Sequence, residues 1–148
     1  ANLKLNLVLI GNILDGEKAY AQKLEELIQK NTGIKWIKEL PKGSEELASA
    51  YFYSKIFALP SKNETQPISA LEAAAMEKQL ILNDRAYARQ EYYQGAVLTR
   101  TKSVRDIETA LKIALKRKPA DHKNQKLFEC KKEVVGEAYK KVYQKLVS

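Results

Sequence analysis

The sequence predicts an α/β fold in which a doubly wound parallel sheet is covered by helices and followed by a terminal amphipathic helix. Three observations predict it. Short apolar runs alternate with segments of helical period, about five of each. Several runs are apolar on both pleat faces, which is typical of parallel strands covered on both sides. The length of 148 residues, with 45% apolar and 30% charged residues, fits one globular domain and excludes a disordered or collagen-like chain.

The strands are predicted from short apolar runs bordered by glycine, proline or asparagine. The first run, Leu3 to Ile10, is apolar on both faces and ends at Gly11, so we expect a strand buried between helices. The other predicted strands are Ile34 to Ile37, Ile56 to Leu59, Leu80 to Leu82 and Ala96 to Leu98.

The helices are placed by their caps and by their apolar faces. Asp15, Ser44 and Ser103 are expected amino-terminal caps, and Pro67 is expected at the first position of the helix that continues to Met76. The first helix is expected to end near Asn31 and Gly33, and Tyr87 to Tyr93 is expected to form a short helix. The side chains expected to face the core are Tyr20, Leu24, Leu27, Ile28, Leu47, Tyr51, Phe52, Val104, Ile107, Leu111, Ala114 and Leu115.

The tail differs from the body in charge. Residues 1–111 hold 15 Lys and Arg against 14 Asp and Glu, a net charge of +1, whereas residues 112–148 hold 11 against 4, a net charge of +7. We expect an α/β domain in residues 1–118. Residues 119–148 are expected to form the linker-like stretch Pro119 to Asn124 and a basic helix. The apolar side of that helix consists of Phe128, Val135, Tyr139, Val142 and Leu146. A solvated helix face is the ordinary interpretation of such charge, and contact with an anionic membrane surface is the alternative.

Cysteine and histidine are too few to build a disulfide framework or a histidine metal site. Cys130 is the single cysteine and His122 the single histidine, and no signal segment opens the sequence. We therefore expect a reducing, cytoplasmic location.

Two glutamates eight residues apart, Glu64 and Glu72, are the candidate functional residues. Two other pairs with this spacing lie inside predicted amphipathic helices, where solvated surface charge explains them. Glu64 instead follows the predicted strand Ile56 to Leu59, and ligands of doubly wound sheets bind beyond the carboxyl ends of the strands. Glu72 lies among Leu71 and alanines, so its carboxylate needs a ligand or amides to satisfy it. The alternatives are that Glu64 caps the next helix and that Glu72 pairs with a Lys or Arg.

Through these residues the chain resembles the family 4 retaining glycosyltransferases, specifically the second, nucleotide-sugar-binding half of their two-domain GT-B fold. The similarity runs over most of the chain and is strongest from Glu64 to Ala73. It also covers Leu9 to Gly11, Leu47 to Tyr51, Phe57 to Ser61, Leu80 to Leu82, Arg89 to Tyr92 and Val104 to Leu115. The resemblance implies a Rossmann-like domain that binds a nucleoside-diphosphate sugar. It further implies transfer of the sugar to a saccharide or lipid-linked acceptor with retained configuration. The chain has no Asp-x-Asp pair, so we expect neither a metal nor another cofactor.

The resemblance also implies a role for each matching residue. Glu64 would face the donor sugar near the reacting centre and stabilise positive charge that develops on the ring. Glu72 would accept hydrogen bonds from the 2′ and 3′ hydroxyls of the donor ribose. Gly11 and Asn12 would face the same crevice, although a plain tight turn explains them equally well. The residues that would present backbone amides and a helix amino terminus to the sugar and diphosphate are Thr65, Gln66, Pro67 and Ile68.

The chain departs from the family pattern at several positions. Thr65 and Glu77 stand where the family usually has glycine, and Gln79 stands where many members have proline. At Glu77 the missing glycine indicates a different helix cap or some backbone strain. The strand and helix that open this half in the family, with an Arg and a Lys for the diphosphate, do not precede Leu3, so the sequence looks truncated at its amino-terminal end.

Three expectations follow from this apparent truncation. Strands that flank a missing neighbour favour self-association, so we expect a homo-oligomer. The acceptor would bind in a missing amino-terminal domain of the enzyme, and the isolated chain would be inactive. The terminal helix would either cross toward that missing domain or pack on its own domain. The alternative function is a non-catalytic α/β binding or assembly module, whose basic tail binds anionic lipid or, less favoured, nucleic acid.

Overall fold

The structure, a computed structural model, describes residues 5–118 and 125–146 and confirms the α/β class. Contacts within the chain group it into two compact units, residues 1–50 and residues 51–148. In the described residues, five strands are all parallel to their neighbours and form a two-stranded sheet, β1–β2, and a three-stranded sheet with the order β3–β4–β5.

The first unit holds one β-α-β arrangement. Its elements are β1 (Leu7–Ile10), α1 (Lys18–Gln29) and β2 (Ile34–Ile37). β1 and β2 pair in register from Leu7 with Ile34 to Ile10 with Ile37. The bounds of β2 match the prediction, and α1 ends where expected because the Asn31 side-chain amide donates to the Leu27 carbonyl at 2.7 Å.

The second unit holds the better packed sheet. Helix α2 (Glu45–Tyr53) joins the two units, and the elements that follow are β3 (Ile56–Leu59), α3 (Ile68–Ala75), β4 (Gln79–Asn83), β5 (Val97–Thr99), α4 (Val104–Lys116) and α5 (Lys132–Leu146). Every residue of the central strand β4 is buried. Its Ile81 packs with Val97 of β5 and with Ala110 and Ala114 of α4, so the core lies between this sheet and α4.

Two predicted caps are confirmed. The Ser44 hydroxyl accepts from the Leu47 amide at 3.1 Å, and the Ser103 hydroxyl accepts from the Asp106 amide at 3.1 Å. The third cap is wrong: α1 begins after Glu17 with no side-chain cap, so Asp15 lies too early in the chain. Pro67 lies one residue before the expected position, as the cap of α3.

The burial predicted for the first strand is wrong. Leu7, Val8 and Ile10 are 45%, 51% and 43% exposed, and Leu9 is partly buried. Apolarity on both faces shows that a strand can be covered on both sides, but the covering elements must come from elsewhere in the chain. Among the strands that the structure describes, β1 has only β2 beside it in its sheet.

Smaller corrections concern helix faces and element bounds. Val104 is 83% exposed because the buried side of α4 is set by Ala110 and Ala114, and the expected core residues Tyr20, Leu27 and Phe52 are exposed as well. The predicted helix Tyr87 to Tyr93 is two 3₁₀ turns, residues 86–89 and 91–93. The last strand begins one residue later than expected, at Val97.

The terminal segment is partly outside the described residues. The predicted linker Pro119 to Asn124 and the start of the first run, up to residue 4, are not described, and the expected domain boundary at residue 118 stays a prediction. A 3₁₀ segment, residues 125–130, precedes α5, whose Tyr139 and Val142 are exposed. No helix within residues 5–118 and 125–146 has the length and apolarity that crossing a bilayer requires.

Candidate functional site

A pocket of about 570 Å³ opens at the carboxyl ends of β3 and β4. The loop after β3 and the first 3₁₀ turn after β4 form its walls. Parallel strands bring their carboxyl ends to one edge of a sheet, which is where ligands of such sheets bind. The lining residues are Lys62, Asn63, Glu64, Thr65, Arg85, Ala86 and Tyr87.

Polar side chains from the last residue of β4 and from the region after it hold the loop that carries Glu64. The buried Asn83 donates its side-chain amide to the Ser61 carbonyl at 2.8 Å. The hydroxyls of Tyr87 and Tyr93 donate to the carbonyls of Leu59 and Pro67 at 3.4 and 3.3 Å. Three anchors therefore fix this loop at its start, at its first residues and at its end.

The two tyrosines are neutral donors because their surroundings disfavour the phenolate. Their rings meet edge to face with centroids 6.3 Å apart. Burial, followed by electrostatic interaction with Tyr87 and with the carboxylate of Glu64, raises the pKa of Tyr93 to about 12. Burial also raises the pKa of Tyr87, and the negative charge of Glu64 adds to it. A carbonyl can only accept, so a phenol that keeps its proton is the partner that these carbonyls need.

Glu64 is a pocket residue whose carboxylate has no hydrogen-bond or ion-pair partner among the described residues. It lines the pocket, is exposed, and makes no hydrogen bond or ion pair with any residue that the structure describes. The alternative in which it caps the next helix is wrong, because no side chain caps α3. Both carboxylate oxygens are therefore available to a ligand.

Glu72 lies in the second turn of α3 and has one partner. Its Oε2 accepts from the Tyr51 hydroxyl at 2.8 Å. The alternative of a Lys or Arg partner is wrong for the described parts of the chain, where Glu72 forms no ion pair. The buried side of α3 consists of Ala70, Ala73 and Ala74, so Glu72 occupies the exposed side rather than an apolar environment. Glu72 is not among the residues that line the pocket.

The other predicted site residues are divided between the two units. Thr65 lines the pocket, whereas Gln66, Pro67 and Ile68 continue from it into the start of α3. Gly11 and Asn12 belong to the first unit, where the Trp36 indole N–H donates to the Gly11 carbonyl at 2.9 Å. Their roles in binding stay predictions. No group of three or more metal-ligating side chains occurs in the described ranges.

Among the site residues that the sequence analysis gave no functional role, Lys62, Arg85 and Tyr51 matter most for ligand chemistry. Lys62 and Arg85 line the pocket and pair with no described acidic residue, so with Glu64 the lining carries two positive charges and one negative charge. The positions of Lys62 and Arg85 could have indicated a role in the site, since each residue follows the end of a parallel strand. Tyr51 had no such signal, because its contact with Glu72 spans 21 residues of sequence.

Comparison with known families identifies the chain. The family described as Glycosyl transferases group 1 matches residues 1–129. The chain belongs to this family. No curated protein matched the chain in a sequence comparison.

Solved structures show the fold of this group 1 glycosyl transferase chain. HepE from Anabaena, solved in complex with UDP and glucose, superposes with a TM-score of 0.77 at 15% identity, over 99% of this chain and 41% of HepE. Sucrose-phosphate synthase from Thermosynechococcus elongatus gives a TM-score of 0.72 at 17% identity, over 96% of this chain and 38% of the synthase. The chain thus spans about two fifths of the length of these two proteins.

A third similar structure is itself a single domain. The C-terminal domain of LpcC, a glycosyl transferase group 1 family protein from Francisella tularensis, gives a TM-score of 0.62 at 18% identity, over 92% of this chain and 86% of that domain. Together with the family match, these similarities confirm the expected fold, the Rossmann-like C-terminal domain of a GT-B glycosyltransferase.

Proposed function

We propose that this chain is the donor-binding half of a family 4 retaining glycosyltransferase that uses a nucleoside-diphosphate sugar. The observation that carries the proposal is the pocket beyond β3 and β4, whose lining combines two cations with a carboxylate that has no partner among the described residues. A nucleoside-diphosphate sugar offers both matching chemistries, since its hydroxyls donate to carboxylates and its diphosphate attracts cations. The HepE structure, which contains UDP and glucose, supports the same class of ligand.

The proposal assigns the two glutamates different tasks. Glu64 accepts hydroxyl hydrogen bonds from the donor sugar and stabilises the positive charge that develops on its ring as the bond to the diphosphate breaks. Glu72 accepts the ribose hydroxyls. Lys62 and Arg85 offset the negative charge of the diphosphate, and the uncapped start of α3 adds backbone amides.

The acceptor belongs to another part of the enzyme in this proposal. A saccharide or lipid-linked acceptor binds in a first domain, and sugar transfer needs both halves. We therefore expect the 148-residue chain to bind the donor without transferring its sugar. Neither a metal nor another cofactor is part of the proposal.

Binding of UDP-glucose and of GDP-mannose to the 148-residue chain tests the proposal by titration calorimetry. We expect Glu72→Ala to weaken the binding of the preferred donor about tenfold or more, because a hydrogen bond to a charged group contributes about 1.5–3 kcal/mol. Glu137→Ala is the matched control, since it removes an exposed carboxylate from α5, whose partner is Lys140. Unchanged affinity in Glu72→Ala would refute the ribose role of Glu72, and no binding of either donor would count against the donor-binding function.

A further inference from the structure

The Tyr51 side chain connects the core of the second unit to Glu72. Tyr51 lies in the last turn of α2 and is only 8% exposed. Its ring packs against Phe57 of β3, with centroids 5.8 Å apart and the rings tilted by 44°. Because this packing fixes the ring, the hydroxyl has a fixed position from which it donates to Glu72 Oε2 at 2.8 Å.

The direction of this hydrogen bond follows from the charge states of its two groups. Burial, together with the hydrogen bond and the negative charge of Glu72, raises the pKa of Tyr51 well above its ordinary value. Tyr51 therefore keeps its proton and donates it. An ionised carboxylate accepts about four hydrogen bonds, so the contact uses one site on Oε2 and leaves the rest of the carboxylate open.

An exposed glutamate on a helix has several rotamers, and binding must select one of them. Immobilising one such side chain costs about 0.5–1.5 kcal/mol. The hydrogen bond from Tyr51 selects the Glu72 rotamer before a ligand arrives. Ligand binding then loses less side-chain entropy, and the affinity is higher.

We propose that Tyr51 is a positioning residue that orients Glu72 toward the ribose diol of the donor and so determines the preference for ribose over deoxyribose. The inference rests on the proposed function, because it takes the ribose as the ligand of Glu72. It adds a residue outside the Glu64 to Ala73 segment, on a different helix, to the specificity of the site.

Tyr51→Phe is the variant that isolates this effect, because it keeps the ring against Phe57 and removes only the hydroxyl. Titration calorimetry with the 148-residue chain compares UDP, GDP and ADP with their 2′,3′-dideoxy counterparts. We expect the best ribonucleotide to bind about threefold to tenfold more weakly to Tyr51→Phe, which corresponds to the rotamer cost above. The affinity for its dideoxy counterpart should stay the same. A purely structural role of Tyr51 would weaken both ligands equally.

Two further variants distinguish the possible outcomes. Tyr53→Phe removes a hydroxyl from the same helix at a position that is 84% exposed, and it should change neither affinity. In a Glu72→Ala background, Tyr51→Phe should have no further effect, because it acts through Glu72.

Failure of this inference differs from failure of the proposed function. If the unmodified chain prefers no ribonucleotide over its dideoxy counterpart, the ribose role of Glu72 fails, and the positioning role fails with it. If the unmodified chain shows that preference and Tyr51→Phe retains it in full, only the positioning role is overturned. The same holds if Tyr51→Phe weakens ribonucleotide binding as much in the Glu72→Ala background as in the unmodified chain.

Discussion

Glu77 shows how one residue carries backbone strain in place of glycine. It has a φ of +56°, in the left-handed region that side chains with a Cβ rarely occupy. The Glu77 and Lys78 amides donate back to the carbonyls of Ala74 and Ala73 at 2.9 and 3.0 Å, which is the Schellman arrangement at the end of α3. Of the two outcomes expected from the missing family glycine, a different cap or backbone strain, the positive φ of Glu77 supports the second.

Glu77→Gly should therefore stabilise the fold. Removing the Cβ relieves the left-handed strain, which costs about 1–2 kcal/mol, while glycine gains freedom in the unfolded chain, so we expect a net gain of about 1 kcal/mol. Urea denaturation measures the change in the free energy of unfolding. Glu77→Ala is the matched control, because it removes the side-chain contacts and keeps the Cβ. An equal response of the two variants would contradict the strain argument.

Tyr93 should make stability fall in alkaline solution. Its pKa of about 12 in the folded chain exceeds the ordinary value of about 10. Between these values the unfolded chain releases the proton while the folded chain keeps it, so the stability contribution is complete below pH 10 and is lost toward pH 12. This group alone lowers the free energy of unfolding by up to about 1.4 kcal/mol per pH unit.

Tyr93→Phe tests this pH dependence, because phenylalanine has no proton to release. Its free energy of unfolding, measured with urea at intervals from pH 9 to 12, should fall less steeply than that of the unmodified chain. Tyr20→Phe changes a tyrosine that is 65% exposed and should leave the slope unchanged. Parallel curves for Tyr93→Phe and the unmodified chain would disprove the assigned role.

At the level of helices and strands, local signals were sufficient where they act within a few residues. The bounds of β2 and β3 and the caps Ser44 and Ser103 were predictable because turn residues and capping hydroxyls act on neighbours. The exposure of β1 was not predictable, since burial depends on the elements that pack against a strand. Sequence pattern shows which faces a strand can bury and leaves open what covers them.

The site shows the same difference between interactions of sequence neighbours, which could be predicted, and contacts between distant segments, which could not. The rule for parallel strands indicated this edge of the sheet, and Glu64 and Thr65 line the pocket there, while their binding roles stay predictions. The bond from Tyr51 to Glu72 joins two helices through a buried ring, and no local spacing encodes it. The family resemblance covers Leu47 to Tyr51 but assigned no role to Tyr51, so it did not indicate this bond either.

For the whole molecule, the two sheets differ in how completely they are covered. β4 has a strand on each side and is buried throughout, whereas β1 has one partner among the described strands and exposes apolar side chains. An unpaired strand edge next to exposed apolar surface is a template for pairing with another chain. The expected homo-oligomer therefore has a specific candidate surface, which we define as the β1 surface, Leu7, Val8 and Ile10.

Val8→Lys should shift the chain toward monomer. The side chain of Val8 is the most exposed of the β1 surface, at 51%, and a lysine there opposes burial because its charge would lose water without a partner. We expect the dissociation constant of the oligomer, measured by sedimentation velocity over a range of concentrations, to rise about tenfold or more, since burying one valine stabilises by about 1.5 kcal/mol. Leu14→Lys adds the same charge outside the strand, at a side chain that is 72% exposed, and should leave association unchanged. A monomer mass for the unmodified chain at every concentration would eliminate self-association, and an equal shift in both variants would attribute it to net charge.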